Sequence, residues 1–294
     1  VEVNTGRQTD AREDLTIPGR MPVTISPFYR STSDYLGIHG YGYSSLLTAR
    51  LIHWDDSSWS LRDERGDRED FDATGKNLNH RLSMADMTLT TDTAFWEPQA
   101  GRVYAFTRKE GVLGSLRDRR GGGILFTYAD SAGSHYKLPI KGISYTAWPP
   151  KFRGVIGMDY RVTRMTSLDN SAQTVDLTYD TTGLLVSARD FSGRQVQYGY
   201  DLAGNQTSVT FPDGTLRRFY YQDSTKFHRL TAFDAKPIRP SLASDTTVLT
   251  RNLFDGKDRV TAQTFQGSTY GFDHAAWRDT TFHVLFDNYG EQMP

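Results

Sequence analysis

Between Thr178 and Tyr221 the chain repeats itself at a fixed interval. Tyr179-Asp180-Thr181-Thr182-Gly183 recurs as Tyr200-Asp201-Leu202-Ala203-Gly204, and Tyr221 opens a third copy, each tyrosine 21 residues after the last. A second turn signal keeps the same step: Asp190-Phe191-Ser192-Gly193 is answered by Pro212-Asp213-Gly214, with Gly193 and Gly214 again 21 residues apart. A period of this length with two turn signals predicts one β-hairpin unit stacked repeatedly, and hence an all-β chain of antiparallel hairpins. Such a unit cannot bury its own apolar face, so the repeat requires a larger assembly around it.

The letters of the repeat have a local physical reason. In Tyr-Asp-x-x-Gly the aspartate side chain accepts from backbone N–H groups two residues on, and the glycine takes the positive φ that returns the chain to the sheet. Asp180, Asp201 and Asp213, with Gly183, Gly193, Gly204 and Gly214, therefore read as turn chemistry rather than as catalytic carboxylates, because Asp and Gly travel together in register. Each tyrosine ends a strand on one face, so Tyr179, Tyr200 and Tyr221 are expected side by side as a ladder.

Outside the repeat, helical periodicity is nearly absent; Leu78 to Met87 is the one stretch that could form a short helix. Residues 1–150 read as a nonrepetitive β meander that breaks at Trp148-Pro149-Pro150, since consecutive prolines do not fit a central strand. Residues 151–294 read as the hairpin-repeat region, with an inserted surface loop at about 222–250 and degenerate copies from Asn252-Leu253-Phe254-Asp255-Gly256 onward. Residues 55–72 hold eight acidic and three basic side chains and read as a solvated loop. A sheet that stops near residue 290 would leave an unpaired edge, so the segment is expected to be stable only when that edge is completed.

Composition narrows the function. With 34 basic and 35 acidic residues, net charge −1, no global field draws the chain to nucleic acid or an anionic membrane. Cysteine is absent, which removes thiol nucleophiles, thiolate metal sites and disulfides. No apolar run approaches the roughly 20 residues of a helical membrane span. His39, His53, His80, His135, His228, His274 and His283 lack zinc-site spacing, and Ser44-Ser45 lacks a nucleophile elbow, so no catalytic, metal or cofactor set is assigned. The basic cluster Arg102, Arg108, Lys109, Arg117, Arg119 and Arg120 includes Glu110 and Asp118 and reads as a solvated face, contact with an acidic partner being the alternative. Asn205-Gln206-Thr207 matches a glycosylation acceptor, relevant only in a eukaryotic secretory setting. Trp54, Trp59, Trp96 and Trp148 could be sugar platforms on a carbohydrate-binding or adhesin β-solenoid, but their irregular spacing favours core packing.

Residues 175–221 resemble the YD repeats of the Rhs family, and 251–290 resemble weaker copies. Val3-Asn4-Thr5-Gly6, Leu15-Thr16-Ile17-Pro18-Gly19, Phe28-Tyr29-Arg30-Ser31 and Gly37 through Ser44 resemble the lead-in to such repeats in bacterial Rhs proteins. The resemblance implies a large hollow β-cocoon shell enclosing a C-terminal toxin that is released by self-cleavage. It also implies delivery from the bacterial cytoplasm into a target cell, in interbacterial competition and through type VI secretion. The partners it implies are the remaining shell, the enclosed toxin domain, an N-terminal spike-docking domain and the secretion apparatus. The family's self-cleaving run has no counterpart here, because Asp-Pro never occurs and the Gly121-Gly122-Gly123 run reads as a hairpin turn. This chain is accordingly expected to be a non-enzymatic shell segment. The chain opens without Met or a signal peptide, and Val1 is a candidate start of an N-terminal cleavage product, the alternative being a chain cut from something longer.

Overall fold

The computed structural model describes residues 7–31, 33, 35–54, 56–80, 82–99, 101–129, 161–235, 248–257, 259–265 and 268–272. The secondary structure there is antiparallel β, with one 3-10 turn at Leu46–Thr48 capped by Ser45. Val1 and the boundary expected near residue 150 lie outside the described residues.

An N-terminal module is built from short strands: β1 (Thr9–Ala11), β2 (Leu15–Ile17), β3 (Val23–Ile25), β4 (Phe28–Arg30), β5 (Leu36–Gly37), β6 (Gly40–Tyr41) and β7 (Tyr43–Ser44). It continues with β8 (Arg50–His53), β9 (Trp59–Arg62) and β10 (Arg68–Phe71). These pair as β1-β4-β7, β2-β3, β5-β6 and β10-β9-β8. The acidic stretch expected to be a solvated loop is instead the β9–β10 hairpin, in register Phe71↔Trp59. The reason is period-two alternation: Trp59, Leu61, Glu69 and Phe71 point inward, and buried Glu69 accepts the Leu82 N–H through Oε2.

No helix forms at Leu78–Met87 among the described residues; Met87 starts a strand. Side-chain bonds to the backbone hold the segment open. Asn77 Nδ2 donates to the Ser83 and Ala85 carbonyls, Asn77 Oδ1 accepts from Asn79 and His80, and Asp86 accepts from Asn77 N.

The rest of the described residues form one fifteen-stranded antiparallel sheet in strict sequence order. It comprises β11 (Met87–Leu89), β12 (Thr93–Gln99), β13 (Arg102–Thr107), β14 (Leu113–Arg117), β15 (Gly123–Tyr128), β16 (Val162–Ser167), β17 (Thr174–Tyr179) and β18 (Leu185–Asp190). It goes on through β19 (Gln195–Tyr200), β20 (Gln206–Thr210), β21 (Leu216–Tyr220), β22 (Ala232–Ala235), β23 (Val248–Phe254), β24 (Val260–Phe265) and β25 (Ser268–Gly271). The sheet is thus continuous on both sides of the undescribed residues 130–160. Where an inserted loop was expected at about 222–250, β22 extends the sheet, and residues 236–247 lie outside the described set.

Alternation sets the two faces. Val175, Leu177, Ala188, Val196, Tyr198, Val209 and Phe219 are buried, while Asp176, Thr178, Arg189, Gln197 and Arg218 are exposed. The buried face packs on the N-terminal module in a single hydrophobic cluster that includes Leu15, Ile17, Ile25, Tyr29, Tyr43 and Leu47.

Candidate functional site

The repeat residues do at each turn what their chemistry predicts. Asp180 Oδ1 accepts from Thr182 N, Gly183 N and Leu184 N at 2.8, 2.8 and 3.0 Å, and Gly183 stands at φ +94°. Asp201 Oδ1 accepts from Ala203 N and Asn205 N, both at 2.9 Å, beside Gly204 at φ +84°. Asp190 with Gly193, and Asp213 with Gly214, form the turns at the other end of the hairpins. These carboxylates are spread along the sheet rather than gathered.

The tyrosines are not adjacent. Two turns per period give two strands per period, so Tyr179 and Tyr200 end β17 and β19 with β18 between them. Each hydroxyl instead donates to a carbonyl on the strand before its own: Tyr179 to Val162 O at 2.7 Å, Tyr200 to Leu185 O at 2.8 Å. Tyr200 also reaches Ile38 O of the N-terminal module at 3.3 Å, and the Tyr221 hydroxyl is buried near Tyr43.

One copy of this unit escaped the sequence reading. Residues 107–128 lie 72 positions before 179–200 and share Gly, Leu, Ser, Arg, Asp, Gly and Tyr at matched places: Gly111, Leu113, Ser115, Arg117, Asp118, Gly121 and Tyr128. Tyr128 donates to Leu113 O at 2.9 Å as Tyr200 does to Leu185 O, and Asp118 Oδ1 accepts from Arg120 N and Gly122 N, both at 2.8 Å. Register shifts between Thr127 and Tyr128 as it does between Thr178 and Tyr179. The missing Tyr-Asp at Thr107-Arg108 hid the copy, although the 72-residue offset was a readable signal.

Chemistry gathers where the N-terminal module meets the sheet. Arg12 Nε donates to Asp14 Oδ1 at 2.8 Å, with side chains 4% and 0% exposed, and Arg12 Nη2 donates to Gln206 Oε1. Tyr198 Oη donates to Asp14 Oδ2 at 2.8 Å, and Arg217 Nη2 to Asp10 Oδ1 at 2.7 Å. The Arg12 guanidinium stands 5.1 Å from the Tyr43 ring centre and 5.4 Å from that of Phe219. Burial disfavours the Arg12 charge, yet Asp14, Tyr43 and Asp10 hold its pKa above the ordinary arginine value. Burial raises Asp14, which Arg12 and Tyr198 only partly oppose. His39 is pushed down to about 3 by burial and by Arg12, which makes it a neutral ring at neutral pH, bonded through Nε2 to Ser45 Oγ at 3.0 Å.

Residues 222–231 close over the same module. His228 stacks on Tyr41 with ring centres 3.5 Å apart, and its Nδ1 lies 2.7 Å from Asn205 Oδ1. Tyr29 Oη donates to His228 O and accepts from Leu230 N. Asn205 is therefore buried, its amide donating to Asp201 Oδ2 and Phe227 O, so it is not available as a glycosylation acceptor.

The remaining candidates disperse. His53 stacks on Trp59 and His80 sits at a positive φ; His135, His274 and His283 lie outside the described residues. Among the described residues no three metal-ligating side chains converge. Trp54, Trp59 and Trp96 are buried, and Trp148 lies outside the described set. In the basic cluster, Arg102 pairs with Glu64 and Arg119 with Glu97, and Arg117 Nε donates to Ser115 Oγ. No helix among the described residues is long and apolar enough to cross a membrane.

Comparison with known proteins finds two sequence families. One, described as a domain of unknown function (DUF6531), matches residues 1–71, and the other, RHS Repeat, matches residues 179–216. Over 98% of its length the chain is 25% identical to double-stranded DNA deaminase toxin A of Burkholderia cenocepacia (strain H111), and it spans 19% of that protein. Among solved structures, a Photorhabdus luminescens Tc holotoxin pore aligns over 97% of this chain and 11% of that one, at 11% identity and TM-score 0.35. TcdB2-TccC3-TEV aligns over 97% of this chain and 16% of that one, at 14% identity and TM-score 0.34.

Proposed function

We propose that this chain, which belongs to the Rhs/YD-repeat family, is a wall segment of a toxin-associated β shell and acts by containment rather than by catalysis. The observation that carries this reading is the continuous sheet with one polar, ion-paired face and one apolar face filled by the chain's own N-terminal module. The repeat supplies strands through local turns, so a wall can be built hairpin by hairpin. The aspartates of the repeat are already committed to backbone N–H groups and so serve architecture. Chemistry is assigned to a C-terminal toxic domain enclosed by the completed shell. The route we propose is export from the bacterial cytoplasm into a competing cell by type VI secretion, with a spike-docking domain ahead of the shell.

The test uses the full-length polypeptide purified from its source. Mass spectrometry after limited proteolysis should find a C-terminal domain that survives while the shell is intact and is digested once the shell is unfolded. Equal digestion in both states would overturn containment. The sugar-binding alternative loses three of its four platforms because Trp54, Trp59 and Trp96 are buried, and glycan-array binding by the native protein would favour it.

A further inference from the structure

A pocket of about 470 Å3 opens between the N-terminal module and the first strands of the sheet, a volume in the range of sites that enclose a ligand. Its walls come from residues 11–28, from the β9–β10 turn, and from Arg102 and Leu116 of β13 and β14. Buried Val23, Leu46 and Leu116, with half-buried Met21 and Phe28, give it an apolar lining. Leu116 belongs to the same cluster as the apolar face of the sheet, so the pocket opens on the module's side of the wall, and the Arg164–Asp176 pair lies on the other side.

Two charges in that lining have no partner. Glu13 and Arg65 are exposed, and among the described residues neither side chain enters a hydrogen bond or an ion pair; the Arg65 guanidinium only faces the Phe28 ring, 5.9 Å from its centre. The acids beside Arg65 are already committed. Asp67 pairs with Arg30, Glu64 accepts from Arg102 and Tyr104, and Asp63 Oδ1 accepts from the Arg65 and Asp67 amides. An apolar lining with one free charge of each sign is poorly used by a metal ion, a phosphate or a purely apolar molecule. A peptide uses all of it, with an apolar side chain in the pocket, a basic neighbour for Glu13 and an acidic one for Arg65. Among the described residues β3, whose Val23 and Thr24 line the pocket, pairs with β2 alone, which leaves it one edge that an extended peptide can join.

Affinity selects the source of that peptide. Exposed ion pairs contribute little, and the few side chains a pocket of this size encloses would hold a free partner only weakly. A segment of the same polypeptide is presented at about millimolar effective concentration and needs no more. We propose that the pocket anchors one extended segment of the enclosed C-terminal domain through an apolar side chain flanked by opposite charges. The choice of that domain rests on the shell reading, in which the polar face of the wall looks outward and the module's side looks toward the contents.

The test places the photocrosslinker p-benzoylphenylalanine at Ser26, an exposed lining residue, in the full-length polypeptide, with exposed Gln197 on the opposite face as the control position. Peptide mapping by mass spectrometry should join Ser26, and not Gln197, to one segment of the C-terminal domain that carries an apolar residue between a basic and an acidic one. Glu13→Lys and Arg65→Glu should each lower the cross-linked fraction about threefold. Both should leave the melting point unchanged, because the two side chains are exposed and unpaired. No cross-link from Ser26, a cross-link to a second copy in a mixture of heavy-isotope-labelled and unlabelled protein, or equal cross-linking from Gln197 would overturn the proposal. Indifference to both charge reversals would overturn it too. Protease protection of the C-terminal domain is read on the same samples: its absence removes the containment reading, whereas its presence with any of those results removes the pocket's role alone.

Discussion

The N-terminal module and the repeat sheet are both all-β, yet they are held together by different means. In the sheet, each strand pairs with its sequence neighbour, and the turns at Asp180, Asp190 and Asp201 are tied by a carboxylate to amides two to four residues away. In the module, strands of two to four residues are fixed by partners far along the chain: Arg12 to Gln206, Asp14 to Tyr198, Asp10 to Arg217 and Tyr29 to Leu230. The sheet is therefore locally specified and the module is specified by the sheet. Damage to the module's buried ion pair should spread through the module, while damage to one turn should stay at one hairpin.

The largest effect should come from Arg12→Ala. It strands Asp14 in a buried site and opens the contact with Gln206, and breaking one partner of a buried pair costs about 3–5 kcal/mol. Hydrogen exchange followed by mass spectrometry should show protection lost across residues 9–44 and retained from β16 to β19. Uniform loss across both regions would mean that the sheet depends on the module as much as the reverse.

Glycine substitutions sharpen the same contrast. Gly214 is at φ +80° with open space around an added Cβ, so Gly214→Ala should cost only the backbone penalty of about 1–2 kcal/mol. Gly111 is at φ +67°, and its added Cβ would stand 2.0 Å from Leu51 O, the residue whose N–H bonds Gly111 O at 2.8 Å. Gly111→Ala should therefore cost more and should loosen β8 as well as its own hairpin, readable as a lower urea midpoint than that of Gly214→Ala.

What the sequence made legible follows the same division. Tyr179, Asp180 and Gly183 announced their turn because every group involved lies within a few residues, and the 21-residue step then implied the sheet. Arg12 and Asp14 carried no such signal, since their meaning depends on Tyr198 and Gln206, nearly two hundred positions away. Residues 55–72 misled for a related reason: charge density reads as solvent, while the alternation of Trp59, Leu61, Glu69 and Phe71 that made the hairpin needed a partner strand to be visible. The unit at 107–128 was hidden because the reading was keyed to the Tyr-Asp that this copy lacks.

Acidification should act on the two regions with opposite sign. Burial raises the Asp63 carboxyl of the module to about 6, above its ordinary value of 3.8, and raises Asp14 as well. A folded pKa above the unfolded one makes the contribution complete below the unfolded value and lost as pH rises through the folded value. The module should gain as pH falls from above 6 toward 4. In the sheet, burial opposes ionisation of Asp190 and Asp255, but bonds from Ser192, Arg194, Lys257 and Arg259 outweigh it and depress both. Their contribution is present above the ordinary carboxylate value and is lost as pH falls through the depressed one. Asp72, half-buried in the module, is lowered by Thr74 and Lys76 and should follow the sheet. Segment-resolved exchange, corrected for intrinsic rate, should show module protection rising between pH 6.5 and about 4.5 while the 190–194 and 255–259 turns loosen only below about 4.

The smallest effect discriminates most finely, because it asks whether 107–128 is a true copy of the repeat. Tyr128 and Tyr200 donate to Leu113 O and Leu185 O at 2.9 and 2.8 Å from the same position relative to their turns. Tyr→Phe at either site keeps the ring and leaves a carbonyl without that donor, a loss of about 1 kcal/mol. Tyr200 also reaches Ile38 O, and the Tyr128 hydroxyl also has a side-chain hydrogen bond with Arg50, so each variant loses a second polar contact to the N-terminal module. Tyr128→Phe and Tyr200→Phe should thus lower the urea midpoint by similar amounts. If Tyr128→Phe were silent while Tyr200→Phe was not, the shared register would be geometry without shared energetics, and the repeat would begin at residue 175 rather than at 107.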